Sequence, residues 1–372
     1  MRAIIELTGD ILCSPGVTDR FTDKGHIDYT PIFEQIKDRL SDCDLLVGNL
    51  ETPIAGADML FTRERYCFNT PVEFAQTLKN AGFGLVTLAN NHCMDRGEEG
   101  LLRTLDNLDR IGLPHTGLNR DGEKRYIVKN VRGINVAFVN YTYGTNAFAH
   151  HIFLKNNLSG RVNLFQPQET LPGSIHLLES MEHIGKETER LYTEPNSDYD
   201  RYIKPHLDML RSDIQNAKKE SDFVIFIMHS GGQYNPTPDP YTQMLVSKLR
   251  EYGADCIVGH HPHVIHGYDV KDGVFCAYSL GNLVCDPADA QDPVGAAHSA
   301  LLKLSIEKNE NKTKLADASF SLIRTVRPED GRIYCVDCFD KPDNEKKLSL
   351  YEASLLTGKA ETVLRHEYIL DI

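Results

Sequence analysis

The 372-residue chain has no run of about 18 apolar residues, the length a bilayer-spanning helix needs, so direct membrane insertion by a helix is not expected. It lacks a basic surplus. Acidic residues outnumber basic ones 53 to 40, and the formal net charge is −13. A field of that sign repels nucleic acid and anionic membrane surfaces, so neither is an expected partner. An anionic substrate needs locally concentrated cations, which bound metal ions supply. There is no disulfide framework, because the nine cysteines are odd in number and scattered. No basic stretch followed by an apolar run precedes the alternating segment Arg2 to Leu7. No export signal is therefore read, and a reducing, cytoplasmic location is expected. Internal repeats and low-complexity tracts are also missing. With 41% hydrophobic and 25% charged residues, the composition excludes general disorder.

What is present is a series of strand-length apolar runs ending in polar residues. Ala3 to Leu7 leads to Gly9-Asp10, and Asp44 to Val47 leads to Gly48-Asn49-Leu50-Glu51. Leu85 to Leu88 leads to Ala89-Asn90-Asn91-His92, and Asn135 to Val139 leads to Asn140-Tyr141. Phe223 to Met228 ends at His229, and Cys256 to Val258 runs into Gly259-His260-His261. Val274 to Tyr278 runs into Ser279-Leu280-Gly281-Asn282. Between them, apolar residues recur at helical spacing: Ile32, Ile36 and Leu40; Phe74 and Leu78; Leu101, Leu105 and Leu108; Leu207, Leu210 and Ile214; Leu245 and Leu249. Buried strands alternating with amphipathic helices imply α/β sheets with helices on their faces, and in such sheets ligands bind beyond the carboxyl ends of the strands. Residues from about 145 to 200 are irregular and polar and read as a long insertion. After Ser299 the pattern turns to strands, at Leu301 to Ile306, Ala318 to Thr325 and Gly331 to Cys338, before a helix near Leu348 to Leu356.

Five clusters carry chemistry: Gly9-Asp10, Asn49-Leu50-Glu51, Asn90-Asn91-His92, His229 and Gly259-His260-His261-Pro262-His263. Carboxylates, amide oxygens and imidazoles together suit borderline divalent metals such as zinc, manganese or ferrous iron. Taken singly, a residue such as Asp10 is more often a turn or helix-cap residue than a ligand, and one such as His229 more often a satisfied core histidine. Three histidines within four residues, set between Gly and Pro, have few such explanations, since burying them without a ligand requires many hydrogen-bond partners. Arg63, Arg65 and Arg96 lie near these clusters. They are candidates for holding an anion, or else exposed loop residues. Asp95 is a candidate partner for His92, or a cap for the following helix. Cys335 and Cys338, three apart in an expected strand, point to opposite faces and are not read as a metal or redox pair.

Read in order, these segments are specific. Gly-Asp, Asn-Leu-Glu, Ala-Asn-Asn-His with Asp95 and Gly97, His229-Ser-Gly-Gly-Gln-Tyr, Gly-His-His-Pro-His-Val and Ser-Leu-Gly-Asn resemble the CapA family, as does Tyr141 to Asn146. The family is associated with bacterial poly-γ-glutamate capsule synthesis and is similar to calcineurin-like metallophosphoesterases. The resemblance implies a four-layer αββα sandwich over residues 1–300, with the insertion near 145–200 and with 301–372 supplying strands that complete the sandwich plus a tail. It implies one or two divalent metal ions held by Asp10, Glu51, Asn91, His229, His261 and His263, with His260 competing for the place of His261. His92 would contact the reacting group, oriented by Asp95. Arg63, Arg65 and Arg96 would bind substrate, and His260, Ser279 and Asn282 would support the ligands. Two departures stand out: position 12, where phosphoesterases place His, is Leu12, and the bridging carboxylate is Glu51 rather than Asp. The implied activity is metal-dependent hydrolysis of an anionic or peptide-like substrate, tied to capsule polymer and to membrane-bound synthase partners. Phosphoester hydrolysis and a non-catalytic accessory role are the alternatives.

Overall fold

The computed structural model describes all residues except 62–65, 157, 169–185, 187–188, 191–196, 288–295, 311 and 341–345. Its strands, in chain order, are β1 (Arg2–Ile11), β2 (Thr22–Asp23), β3 (His26–Ile27), β4 (Leu45–Leu50), β5 (Phe83–Thr87), β6 (His115–Thr116), β7 (Tyr126–Val131), β8 (Ile134–Thr142), β9 (Phe223–His229), β10 (Cys256–His260), β11 (Tyr268–Lys271), β12 (Val274–Ala277), β13 (Asn282–Val284), β14 (His298–Lys308), β15 (Thr313–Val326), β16 (Tyr334–Asp337) and β17 (Tyr368–Ile369). One sheet runs β16-β15-β14-β1-β4-β5-β6, with β13 also pairing β1 and β17 pairing β15. The other runs β11-β12-β10-β9-β8-β7, and β2 and β3 form a separate ribbon.

Alternation along the strands decides how these sheets stack. In β9, Phe223, Ile225 and Ile227 join one apolar cluster, while Val224, Phe226 and Met228 join another. In β4, Leu45 and Val47 share the first cluster with Phe223 and Ile225, whereas Leu46 and Leu50 face a third. The shared cluster therefore lies between the two sheets. The third cluster packs the first sheet against the helices Val72–Asn80 and Gly97–Ile111 through Phe74, Leu78, Leu101 and Leu105. The second cluster packs the other sheet against Lys204–Glu220 and Pro240–Tyr252 through Leu207, Leu210, Leu245 and Leu249. The layers are helix, sheet, sheet, helix, which is the expected αββα sandwich.

The C-terminal strands belong to the first sheet, where β14 lies antiparallel to β1 from Arg2↔Glu307 to Leu7↔Leu302. The single helix expected around Ile32 to Leu40 is instead two short ones, Pro31–Glu34 and Lys37–Leu40. Ile36 at φ −120°, ψ 10° leaves helical geometry between them. The edge strands β7 and β11 lack clean periodicity in sequence and emerge only from pairing with β8 and β12. Cys335 faces the helix-side core and Cys338 the inter-sheet core, as their spacing implied. Much of the insertion falls outside the described residues. Its described part includes the turn Ala147–His150 and buried Leu154, Val162, Leu164 and Phe165. No helix among the described residues is long and apolar enough to cross a membrane.

Candidate metal centre

Strands β4, β9 and β10 each carry their apolar pattern up to the rim and then place a polar residue on the same face. In β9 the alternation through Ile225 and Ile227 places His229 on the inter-sheet side. In β10 the same parity through Cys256 and Val258 places His260 there, directly beside His229 in parallel register. In β4, Asn49 and Glu51 continue the inter-sheet parity of Leu45 and Val47, while Leu50 between them is buried in the helix-side core.

Strand β1 needs a correction to the pattern. Ala3, Ile5 and Leu7 face the other sheet, so simple alternation would turn Asp10 away. The β1–β4 register shifts between Leu7 and Asp10, and Asp10 then pairs with Asn49. A bulge of this kind re-aims one side chain, and here it turns Asp10 into the gap between sheets. Gly9 lies in this irregular stretch. A Cβ there would stand 2.3 Å from the Gly281 carbonyl oxygen, so only glycine permits the approach of β1 to the turn carrying Asn282. Gly259 has the same constraint, with Tyr278 O at 1.9 Å from the place a Cβ would occupy.

The residues converge. Asn49 Nδ2 donates to Asp10 Oδ1 at 2.8 Å and lies 3.3 Å from His229 Nδ1. His229 Nε2 bonds Asn91 Oδ1 at 2.7 Å and stands 3.6 Å from Glu51 Oε1. His260 Nδ1 is 2.9 Å from Asp10 Oδ1, and the His261 backbone N–H donates to Asp10 Oδ2 at 3.1 Å. His263 Nε2 is 3.7 Å from Glu51 Oε1. Its Nδ1 lies 2.8 Å from Asn282 Oδ1, which can only accept. That bond fixes the proton on Nδ1 and leaves Nε2 as a donor of electrons. Two groups of ligand-type atoms result, Glu51–His229–His261 and Asp10–Glu51–His263, each with atoms within 4.8 Å of one another and both containing Glu51. His261 and His263 sit at φ 100° and 59°. Left-handed backbone at two non-glycine residues is costly and is tolerated where the surroundings over-determine it.

The electrostatics show what the cluster is short of. Burial pushes the Asp10 carboxyl up, but the attraction of His260 and His263 outweighs it and holds Asp10 well below its ordinary range. Burial, reinforced by the Asp10 charge, pushes Glu51 well above its ordinary range. Burial likewise holds His229 well below its usual value, against the pull of Asp10. Both Glu51 oxygens are sealed from solvent without a hydrogen-bond partner among the described residues. Buried polar atoms are rarely left so, and two buried carboxylates side by side call for positive charge. The donor set of carboxylate, amide and imidazole fits a borderline divalent cation.

This fold and this order of strand-end residues match a known group of proteins. Residues 4–287 match the family described as "Bacterial capsule synthesis protein PGA_cap". The chain belongs to that family. Over 307 residues it is 27% identical to the PGA biosynthesis protein CapA of Bacillus subtilis (strain 168), covering 81% of this chain and 67% of that protein. Over 293 residues it is 27% identical to the capsule biosynthesis protein CapA of Bacillus anthracis, covering 75% of this chain and 59% of that protein. The chain thus spans only part of the length of these relatives. Among solved structures it is similar to the calcineurin-like phosphoesterase YfkN from Bacillus subtilis, with 16% identity, a TM-score of 0.45, and coverage of 86% of this chain and 90% of that one. The site therefore rests on this chain's own geometry.

Around the PGA_cap centre, the remaining expected residues divide. His92 Nδ1 lies 2.8 Å from Asp95 Oδ2, which also accepts from the Phe68 N–H. Asp95 does not cap the helix Gly97–Ile111, whose N-cap is Arg96. Arg96 donates to the Asp95 carbonyl and to Cys67 Sγ, at 2.8 and 3.0 Å, and none of its bonds reaches the ligand cluster. Arg63 and Arg65 lie outside the described residues. Ser279 Oγ accepts from Gly281 N at 3.3 Å, so it shapes the turn rather than touching a ligand. Three participants had no assigned role from sequence: Asn49, Asn146 and Tyr143. Asn146 Oδ1 accepts from Asn91 Nδ2 at 3.2 Å, and the Tyr143 ring stacks on His229 and packs against His261. The parity of Asn49 with Glu51 was a readable signal. The other two stand in the Tyr141 to Asn146 segment, whose family likeness carries no chemistry of its own.

Proposed function

We propose that this chain is a metal-dependent hydrolase acting on an anionic, peptide-like polymer in capsule metabolism, with poly-γ-glutamate as the substrate class. The observation that carries the reading is Glu51, buried with neither oxygen hydrogen-bonded among the described residues and common to both ligand-type groups. In this reading Glu51, Asn91, His229 and His261 would hold one divalent ion, and Asp10, Glu51 and His263 a second where two are bound. Divalent ions held there would supply Lewis acidity. His260 and Asn49 hold the Asp10 carboxylate in place. Asn282 Oδ1 fixes the His263 ring by accepting a hydrogen bond from its Nδ1–H, as partners behind a ligand do. Asp95 accepts a hydrogen bond from the Nδ1–H of His92 and so orients the ring, and Nε2, once it has itself taken up a proton, hands that proton to the departing group. Phe68, with its ring centroid 4.3 Å from that of His92, shields the imidazole from water. The names of the relatives, a PGA biosynthesis protein and a capsule biosynthesis protein, support the choice of polymer.

Elemental analysis of the purified chain, followed by sizing of poly-γ-glutamate after incubation, tests this. Wild type is expected to carry metal and shorten the polymer. Glu51→Gln and His229→Ala are expected to lose metal and reduce turnover by more than the roughly 10- to 100-fold that follows loss of an outer partner. Turnover of a chromogenic phosphodiester with polymer left intact would move the substrate class to phosphoesters. Metal retained at wild-type levels in both variants would overturn the centre itself.

A further inference from the structure

The second oxygen of Asp95 faces a different set of ligand-type atoms. Cys67 Sγ, an Asp95 oxygen and a His150 nitrogen lie within 4.8 Å of one another. They come from three separate segments: the loop before Phe68, the turn after His92, and the short helix Ala147–His150 that opens the insertion. The Asp95 side chain is fully buried, and its Oδ1 has no hydrogen-bond partner among the described residues. Among the described residues His150 Nε2 is also sealed from solvent without a hydrogen-bond partner, 3.9 Å from Asp95. An imidazole nitrogen and a carboxylate oxygen that face each other, dry and just out of bonding reach, carry their desolvation penalty without compensation.

The geometry and charge both favour an ion. Tetrahedral ligands at about 2.0–2.3 Å from zinc stand roughly 3.3–3.8 Å apart, so closure by about an ångström seats one among these atoms. A thiolate and a carboxylate carry two negative charges. The Arg96 guanidinium, donating to Cys67 Sγ at 3.0 Å, offsets one of them. One negative charge is left for a dication to meet. Sulfur, imidazole and carboxylate together select zinc, cobalt or ferrous iron over magnesium and calcium.

We propose that Cys67, Asp95 and His150 form a second, separate divalent-cation site, specific for a thiophilic ion such as zinc. On binding, the metal–sulfur bond replaces the thiol S–H bond and the proton goes to solvent. The site shares only the Asp95 carboxylate with the machinery assigned above. It contains sulfur, whereas the Glu51 centre has none.

That difference provides the test. Cobalt(II) added to the purified full chain is expected to produce a near-ultraviolet sulfur-to-cobalt charge-transfer absorption. Cys67→Ala removes the absorption, while His229→Ala, which damages only the main centre, keeps it. His150→Ala, a change at a partly exposed position, retains the absorption but demands more cobalt, by at least the roughly tenfold that loss of even an outer partner costs. No charge-transfer absorption in folded wild type at saturating cobalt overturns the proposal. So does an absorption that survives Cys67→Ala, or one with unchanged cobalt dependence in His150→Ala. Because the signal reports sulfur ligation alone, a failure of the proposed hydrolase leaves it untouched, and its own failure leaves the Glu51 centre standing.

Discussion

The two halves of the inter-sheet face use the same strands and the same alternation but are held together differently. Toward the amino ends of the parallel strands, Ile5, Val47, Leu85, Phe138, Ile225 and Val258 form a dry apolar layer. Two to five residues further along the same strands stand Asp10, Asn49, Thr87, Asn140, His229 and His260, all buried. The apolar half is held by area removed from water. The polar half is held by a mutual network: Thr87 donates to Asn49, Asn49 to Asp10, and the Leu88 and Ala89 N–H groups to Asn140. Glu51 is left over at its centre. The site is therefore a continuation of the core with changed residue types, and its rigidity comes from the layer beneath it.

This contrast can be broken from either side. The largest effect is expected from His92→Ala, which should lower turnover by about 10²- to 10⁴-fold, the usual value of a positioned proton donor, with metal content and melting temperature held. Loss of metal in that variant would merge the two roles that the geometry separates. Phe138→Ala should do the converse, costing about 3–5 kcal/mol in denaturant melts while metal per folded molecule stays constant. An unchanged melt would mean the apolar layer does not carry the sandwich. A smaller, pH-dependent effect belongs to Glu352, a carboxyl buried on the helix Lys346–Thr357, where burial raises its pKa from 4.5 to about 8. Below 4.5 it is protonated whether the chain is folded or not. Between 4.5 and about 8 only the unfolded chain ionises, so stability falls as pH rises, by at most roughly 1.4 kcal/mol per unit from this group. Glu352→Gln should flatten that fall, and a wild-type-minus-variant difference independent of pH would refute it. The smallest change is Asp239→Ala. It removes the N-cap bond to Thr242 N and the tie to Gly232 N in the loop after His229, for about 1 kcal/mol by thermal melting.

Much of the site was readable because its pattern is local. A strand that ends in His229, or in Asn49-Leu50-Glu51, announces both its direction and its buried face through period-two alternation. Helical spacing was equally plain in Leu101, Leu105 and Leu108 and in Leu245 and Leu249, whose helices end at the left-handed Gly112 and Gly253. Asn91, His261 and His263 were visible as residue types in unusual groups. The arginines were not interpretable, because nearness in sequence to a cluster says nothing about direction, and Arg96 turns to Cys67 and the Asp95 carbonyl.

Residue order and periodicity by themselves determined the α/β class, the strand ends where polar groups gather, and the types of atom offered there. Tertiary structure alone decided which of those groups meet. The bulge that turns Asp10 inward, the left-handed backbone at His261 and His263, and the placing of His260 against Asp10 are results of pairing between strands far apart in the chain. The reason is physical: alternation is a property of one strand, whereas register and sheet stacking are settled only when two surfaces bury each other.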